Sequence, residues 1–209
     1  TTDISNKIKK NDKVLVLAPE ENLIMYDLIK SIEDKQISHL NSSSSFISKS
    51  TNKFELNGLL QNSKKYLIKT YKNYEKISIN NRVVAKIFDG IGAENLFIFK
   101  NRYDLEKNKH KLTKSHIFQE YIKGEIIGIN IVVKNNKVFI LSINEQIYKH
   151  SSDHEIYLCK INIGKYNYML DKFKMFVENI LSNLNDSFGF IGIDAILTDD
   201  QEIIFLEIN

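Results

Sequence analysis

The chain has one cysteine, one proline, no tryptophan and only 8 glycines in 209 residues. A single thiol, Cys159, can form neither an internal disulfide nor a cysteine-based zinc site, which sets aside the small disulfide-built secreted scaffolds. No apolar run approaches the ~20 residues of a spanning helix, and the N-terminus has no apolar signal core, so no membrane role is expected. Charge of one sign is lacking too. The 29 Lys and Arg against 26 Asp and Glu leave +3, too slight an excess to point to nucleic acid. What is present is an apolar share of 43%, which excludes a chain disordered throughout. The length suits one ordinary domain or two joined subdomains, and a soluble, cytoplasmic α/β protein is expected.

With glycine scarce, clustered glycine stands out. One cluster is Asp89-Gly90-Ile91-Gly92 and another is Gly189-Phe190-Ile191-Gly192.

Residues 14–17 form a brief apolar run, and Leu23, Ile24, Leu28, Ile29 and Ile32 follow at helical spacing before a short strand at His39-Leu40. This reads as the last unit of a parallel α/β layer. One βαβ unit cannot cover both faces of its sheet, so a fragment, or a chain whose beginning was not observed, is expected. The serine-rich loop at 41–45 offers helix N-caps to a helix-prone stretch over 46–60, broken near Thr51-Asn52. Strands are expected at 82–88, 95–99, 117–122, 126–133 and 138–147, the last two joined by a tight Asn135-Asn136 turn. Residues 149–164 read as polar and irregular. The apolar face of Tyr166, Phe173, Phe176, Val177, Ile180 and Leu184 marks a helix over 166–184. Strands at 188–197 and 202–208 then close a hairpin through Asp199-Asp200.

That hairpin carries the most chemistry. Asp194 lies inside an otherwise apolar strand, and Glu207 and Asn209 follow thirteen and fifteen residues later. Pairing through Asp199-Asp200 sets Asp194 beside Glu207, and Asn209, two residues on, shares the Glu207 face. Two carboxylates and an amide oxygen converging among apolar residues make a hard oxygen site suited to Mg²⁺. Without a cation they would repel and be costly to desolvate. The same spacing also fits a plain hairpin with its acids at an exposed edge.

A second constellation is a strand carrying Lys86, then the Gly90/Gly92 loop, then another strand. Glycines let backbone N–H groups approach phosphate oxygens, and the lysine adds a point charge; an ordinary hairpin with glycine at its turn would read the same way. A third is Phe118-Gln119-Glu120-Tyr121-Ile122-Lys123-Gly124-Glu125, a strand that stops at glycine and resumes. It fits a hinge whose backbone groups pair with an adenine edge, and equally an edge strand.

Taken in order, these segments resemble the ATP-grasp superfamily from about Ser42 to Asn209. The resemblance implies an α+β fold in which two α+β subdomains clasp ATP. The boundaries it suggests are a remnant of an N-terminal α/β domain over 1–41, a small subdomain with the hinge over 42–125, and a C-terminal subdomain with the metal site over 126–209. It assigns ATP binding to Lys53, Lys86, Gly90, Gly92, Gln119, Glu120, Tyr121, Ile122 and Glu125, and one or two Mg²⁺ ions, or Mn²⁺, to Asp194, Glu207 and Asn209. Lys86, Asn144 and Gln146 are the expected catalytic and acceptor-holding groups. Within the superfamily, Ala18-Pro19-Glu20-Glu21, the serine loop and Leu141-Ser142-Ile143-Asn144-Glu145-Gln146 look most like the archaeal ligases that join glutamate to tyramine in methanofuran biosynthesis.

The implied reaction is ATP-dependent amide formation between a small-molecule carboxylate and an amine, through an acyl phosphate, in a protein compatible with a homodimer. An ATP-grasp phosphotransferase or a non-catalytic nucleotide-binding module is the alternative. Two departures from the family pattern bear on this. Ile87 replaces the usual proline after the phosphate lysine. Glu125 follows the hinge glycine directly, where many members carry a ribose-binding glutamate two residues past it. His150 and His154 read as solvated loop residues rather than bases.

Overall fold

The computed structural model describes residues 8–9, 11–19, 21–90, 95–150 and 156–209. It begins with a parallel pair, β1 (Lys13–Val14) and β2 (Ser38–His39), joined by helix α1 (Ile24–Asp34). The βαβ reading holds, although β1 is shorter than the apolar run at 14–17; Leu15 and Leu17 are exposed. The serine loop caps as expected. Ser43 Oγ accepts from the Phe46 N–H at 3.1 Å to start α2 (Ser44–Thr51), and Asn52 restarts the chain as α3 (Lys53–Leu59) by accepting from the N–H groups of Phe54 and Glu55.

Two antiparallel sheets follow. The smaller has the order β3 (Thr70–Tyr71), β6 (His116–Glu120), β4 (Val83–Ile87), β5 (Phe97–Phe99), with helix α4 (Arg102–Lys107) beside it. Its core is Ile77, Val83, Ala85, Phe97, Phe99, Leu105 and Phe118. The larger has the order β11 (Ile203–Ile208), β10 (Gly189–Leu197), β7 (Glu125–Lys134), β8 (Lys137–His150), β9 (Ile156–Ile163). Asn135 and Asn136 both take positive φ, 51° and 58°, between the paired Lys134 and Lys137, the backbone a type I′ hairpin turn requires.

Strand alternation gives the large sheet two chemistries. Ile191, Ile193 and Ala195 of β10 and Ile127, Ile129 and Ile131 of β7 are buried on one face. Helix α5 (Leu170–Leu181) covers that face with Phe173, Phe176, Val177, Ile180 and Leu181, spaced three, four, seven and eight residues apart along the helix. Phe46, Leu56 and Leu60 join the same core. The opposite face carries Asp194 and Gly128 and turns toward the small sheet.

The expectation of irregular backbone over 149–164 is corrected here. Residues 151–155 lie outside the described residues, and 156–163 form an edge strand paired, among the described residues, only with β8, where one unpaired side tolerates polar residues that hide the strand pattern. The segment from 121 to 124 carries the chain from one sheet to the other, and Gly124 leaves no space for a side chain. A Cβ there would lie 2.5 Å from the Leu197 carbonyl oxygen. Gly124→Ala is therefore expected to lower stability by about 1–3 kcal/mol, measured by thermal or urea unfolding; an unchanged melting curve would show that this crossing is not tightly packed.

Candidate functional site

Between the sheets lies a cleft of about 350 Å³, within the ~300–1,000 Å³ of small-molecule sites. Lys53 and Lys86 enter from one side, Asp194 and Glu207 from the other, and Gln119 and Glu120 at the end of β6 line it with Tyr121 and Ile122 of the crossing segment. The expected pair forms: Asp194 and Glu207 are direct cross-strand partners, brought opposite each other by a register shift between Asp194 and Ala195.

Each charged group is held by local structure. Lys53 opens α3, its N–H donates to the Phe88 carbonyl at 2.9 Å, and its Nζ donates to the Gly90 carbonyl at 2.7 Å and pairs with Glu207 at 3.0 Å. Lys86 sits on β4 and is 7% exposed. Burial, then Lys53, pushes its ammonium down to about 8, against the pull of Glu207 and Asp194. Asp194 is driven the other way. Burial raises its carboxyl, and Glu207 raises it further, while donors from Asn209 and Gln146 and the nearby Lys86 oppose the shift. Asn209 Nδ2 donates to Asp194 Oδ2 at 3.1 Å, which leaves its amide oxygen for another partner. Tyr148, unremarked in the sequence, lines the cleft. Its phenol is held above its usual range by burial and by Asp194 and Glu207, so it stays a donor.

Other expected site residues divide. Gly90 lines the cleft; Gly92 lies outside the described residues, as does His154. Gln119 is buried and donates to Thr70 Oγ1 at 2.8 Å. The Arg82 guanidinium lies 3.8 Å from the Tyr121 ring centroid and holds that ring. Glu125 reaches the cleft edge, where Lys165 meets it at 2.9 Å and the Tyr166 hydroxyl donates to its other oxygen. Lys165 also holds Glu145 at 2.8 Å, and this contact lowers the Glu145 carboxyl.

The two amides expected to hold an acceptor are placed differently. Asn144 is buried and is not among the residues lining the cleft; its Nδ2 donates to Ser142 Oγ at 3.1 Å. Gln146 does line the cleft, but both ends of its amide are taken, Nε2 by Asp194 at 2.9 Å and Oε1 by the Tyr148 hydroxyl at 2.8 Å.

This geometry can neutralise a polyphosphate from one side and hold a divalent cation on the other. Among the described residues no group of three or more His, Cys, Asp or Glu is placed to hold a metal ion. A cation here would have two carboxylates and one amide oxygen and would complete its shell with waters and phosphate oxygens, as Mg²⁺ does. The raised Asp194 carboxyl beside Glu207 fits such a cation, since a positive charge relieves both causes of the shift.

Residues 36–209 match the family model described as an ATP-grasp domain. The chain belongs to the ATP-grasp family. Two curated relatives of this ATP-grasp chain are named tyramine–L-glutamate ligase. The protein of Methanocaldococcus jannaschii is 30% identical over 99% of this chain and 60% of its own length. That of Methanocaldococcus fervens is 28% identical over 98% and 61%. The chain thus spans about three-fifths of the relatives it matches. The crystal structure of D-alanine–D-alanine ligase from Bacillus anthracis superposes with a TM-score of 0.74 at 15% identity, over 99% of this chain and 71% of that one. At that identity the likeness is one of fold, and it places the two-sheet clasp among ATP-grasp folds. No helix among the described residues is long and apolar enough to cross a membrane.

Proposed function

We propose that this ATP-grasp chain binds ATP and a divalent cation in the cleft and works in a ligase joining a carboxylate to an amine. The observation that carries the reading is the facing of two pairs in one cleft: Asp194 and Glu207 as neighbours on β10 and β11, and Lys53 and Lys86 opposite them. The names of the two curated relatives support glutamate as the acid and tyramine as the amine.

Asp194, Glu207 and the Asn209 amide oxygen would hold the cation, one Mg²⁺ or two. Bound there, it would neutralise charge on the β- and γ-phosphates. Lys53 and Lys86 neutralise the remaining phosphate charge. Val84, Ile98, Ile196 and Leu206 give the cleft apolar walls suited to a purine, and the 119–122 segment borders them. An oxygen of the substrate carboxylate attacks the γ-phosphorus, its bond to the bridging oxygen breaks, and ADP leaves with an acyl phosphate formed. The amine nitrogen then attacks the acyl carbon, loses a proton and expels phosphate. The protein's contribution is alignment and charge neutralisation.

Incubation of the chain with ATP, Mg²⁺ and a panel of acid and amine pairs tests this. ADP release that needs both partners, with a product mass equal to acid plus amine less water, is expected. Phosphate or phosphorylated product without an amide would replace the ligase reading with a phosphotransferase one.

A further inference from the structure

The groups that hold Asp194 come partly from a strand that does not adjoin its own, and the contact passes over a residue with no side chain. Strands β10, β7 and β8 lie side by side, so that Asp194 pairs with Gly128 and Gly128 with Asn144. Gln146 is two residues along β8 from Asn144, and side chains two apart in a strand share a face. To give its Nε2 hydrogen bond to Asp194 Oδ1 at 2.9 Å, Gln146 crosses β7 at Gly128. A Cβ on residue 128 would stand 2.5 Å from that Nε2 and 3.5 Å from Asp194 Oδ1. The φ of Gly128 is not in the left-handed region, so glycine serves here by its lack of bulk and not by its backbone freedom.

Tyr148, a further two residues on, completes the chain of contacts. Its hydroxyl donates to Gln146 Oε1 at 2.8 Å, which helps to hold the amide with its N–H end toward the carboxylate, a group that only accepts when ionised. An amide turned over would place its carbonyl oxygen against Asp194 and leave the Tyr148 hydroxyl facing an N–H. With Gln146 on Oδ1 and Asn209 on Oδ2 at 3.1 Å, each oxygen of Asp194 accepts one fixed donor and keeps lone-pair capacity for a further partner.

We propose that Tyr148, Gln146 and Gly128 form a positioning relay that orients the Asp194 carboxylate toward a divalent cation, and that Gln146 serves this ligand in place of an amine substrate. The proposal rests on the reading of Asp194 as a metal ligand given above. Partners that orient a ligating group set metal affinity as well as geometry, and their loss commonly weakens binding ~10–100-fold.

The test is Mn²⁺ binding followed by electron paramagnetic resonance, with a non-hydrolysable ATP analogue present, in the unaltered chain and in four variants. Asp194→Asn tests the metal reading itself and is expected to weaken Mn²⁺ binding at least ~100-fold. Gly128→Ala and Gln146→Leu are expected to weaken it ~10–100-fold and to change the zero-field splitting of the bound ion. Tyr148→Phe, which removes one oxygen and is least disruptive to folding, is expected to give a smaller loss, ~3–10-fold, in the same direction. Affinity for the analogue without metal is measured alongside, because Gln146 and Tyr148 both line the cleft. If Asp194→Asn weakens Mn²⁺ binding while Gln146→Leu and Tyr148→Phe leave both affinity and spectrum unchanged, the relay is wrong and the metal site stands. If Asp194→Asn itself leaves Mn²⁺ binding unchanged, the metal reading fails and the relay falls with it.

Discussion

Glu207→Gln is expected to lower substrate-stimulated ADP release by ~10³-fold, equivalent to about 4 kcal/mol of lost transition-state stabilisation. The substitution keeps shape and removes one charge. Two effects follow from its place in the cleft. A cation would lose one of two carboxylates, and Lys53, paired with Glu207 at 3.0 Å, would lose its acid and lean on the Gly90 carbonyl alone. The fold should survive, because Glu207 is only partly buried and its strand is held by Ile203, Phe205 and Ile208 in the core. Steady-state kinetics with a circular dichroism control checks this. Turnover within a fewfold of the unaltered chain would remove Glu207 from the chemistry.

Lys86→Met is expected to have two effects of opposite value. Lys86 is a buried cation whose ammonium drops from 10.5 to about 8, so keeping it charged at neutral pH costs about 3 kcal/mol. Methionine has similar length and no charge to desolvate, and the variant should be more stable by about 1–3 kcal/mol. Nucleotide affinity should fall ~100-fold or more, because the charge facing the phosphates is gone. The same group sets a pH dependence. Between pH 8 and 10.5 the unfolded chain binds more protons at this site than the folded one, so its stability penalty fades as pH rises. Phosphate prefers the protonated lysine, so affinity in the unaltered chain should weaken above pH 8, approaching ~10-fold per unit, and that slope should be absent from Lys86→Met. Calorimetric titration across pH, with a denaturant series, reads both. A variant that is destabilised and still binds nucleotide would contradict the account.

How much of this was legible in the sequence follows from how local each cause is. That Asp194 and Glu207 lie on neighbouring strands was legible from the Asp199-Asp200 turn, but their direct pairing depends on a register shift between Asp194 and Ala195 that no turn residue announces. The Asn135-Asn136 turn and the breaks at Ser43 and Asn52 were legible because capping and positive φ depend on a few adjacent residues. Strand β9 was not, since an edge strand carries Lys160 and Asn162 without cost and its Ile161 and Ile163 are more than half exposed. The use of Gln146 was hidden for a different reason. A glutamine beside an asparagine motif reads as a substrate group, and only the three-strand order β10, β7, β8 brings it over Gly128 to Asp194. Tyr148 carried a faint signal, two residues from Gln146 on the same face. The burial of Asn144 carried none.

In the proposed reaction the cleft activates a carboxylate by phosphoryl transfer before an amine captures it. The most direct test is to supply the acid partner labelled with ¹⁸O in the reacting carboxylate, with ATP, Mg²⁺ and the amine, and to weigh the released phosphate by mass spectrometry. An acyl phosphate hands one carboxylate oxygen to the phosphate, so one ¹⁸O per phosphate is predicted, formed in step with the amide. Phosphate carrying no ¹⁸O would mean that water or another group attacked the γ-phosphorus, and the ligase account would be contradicted.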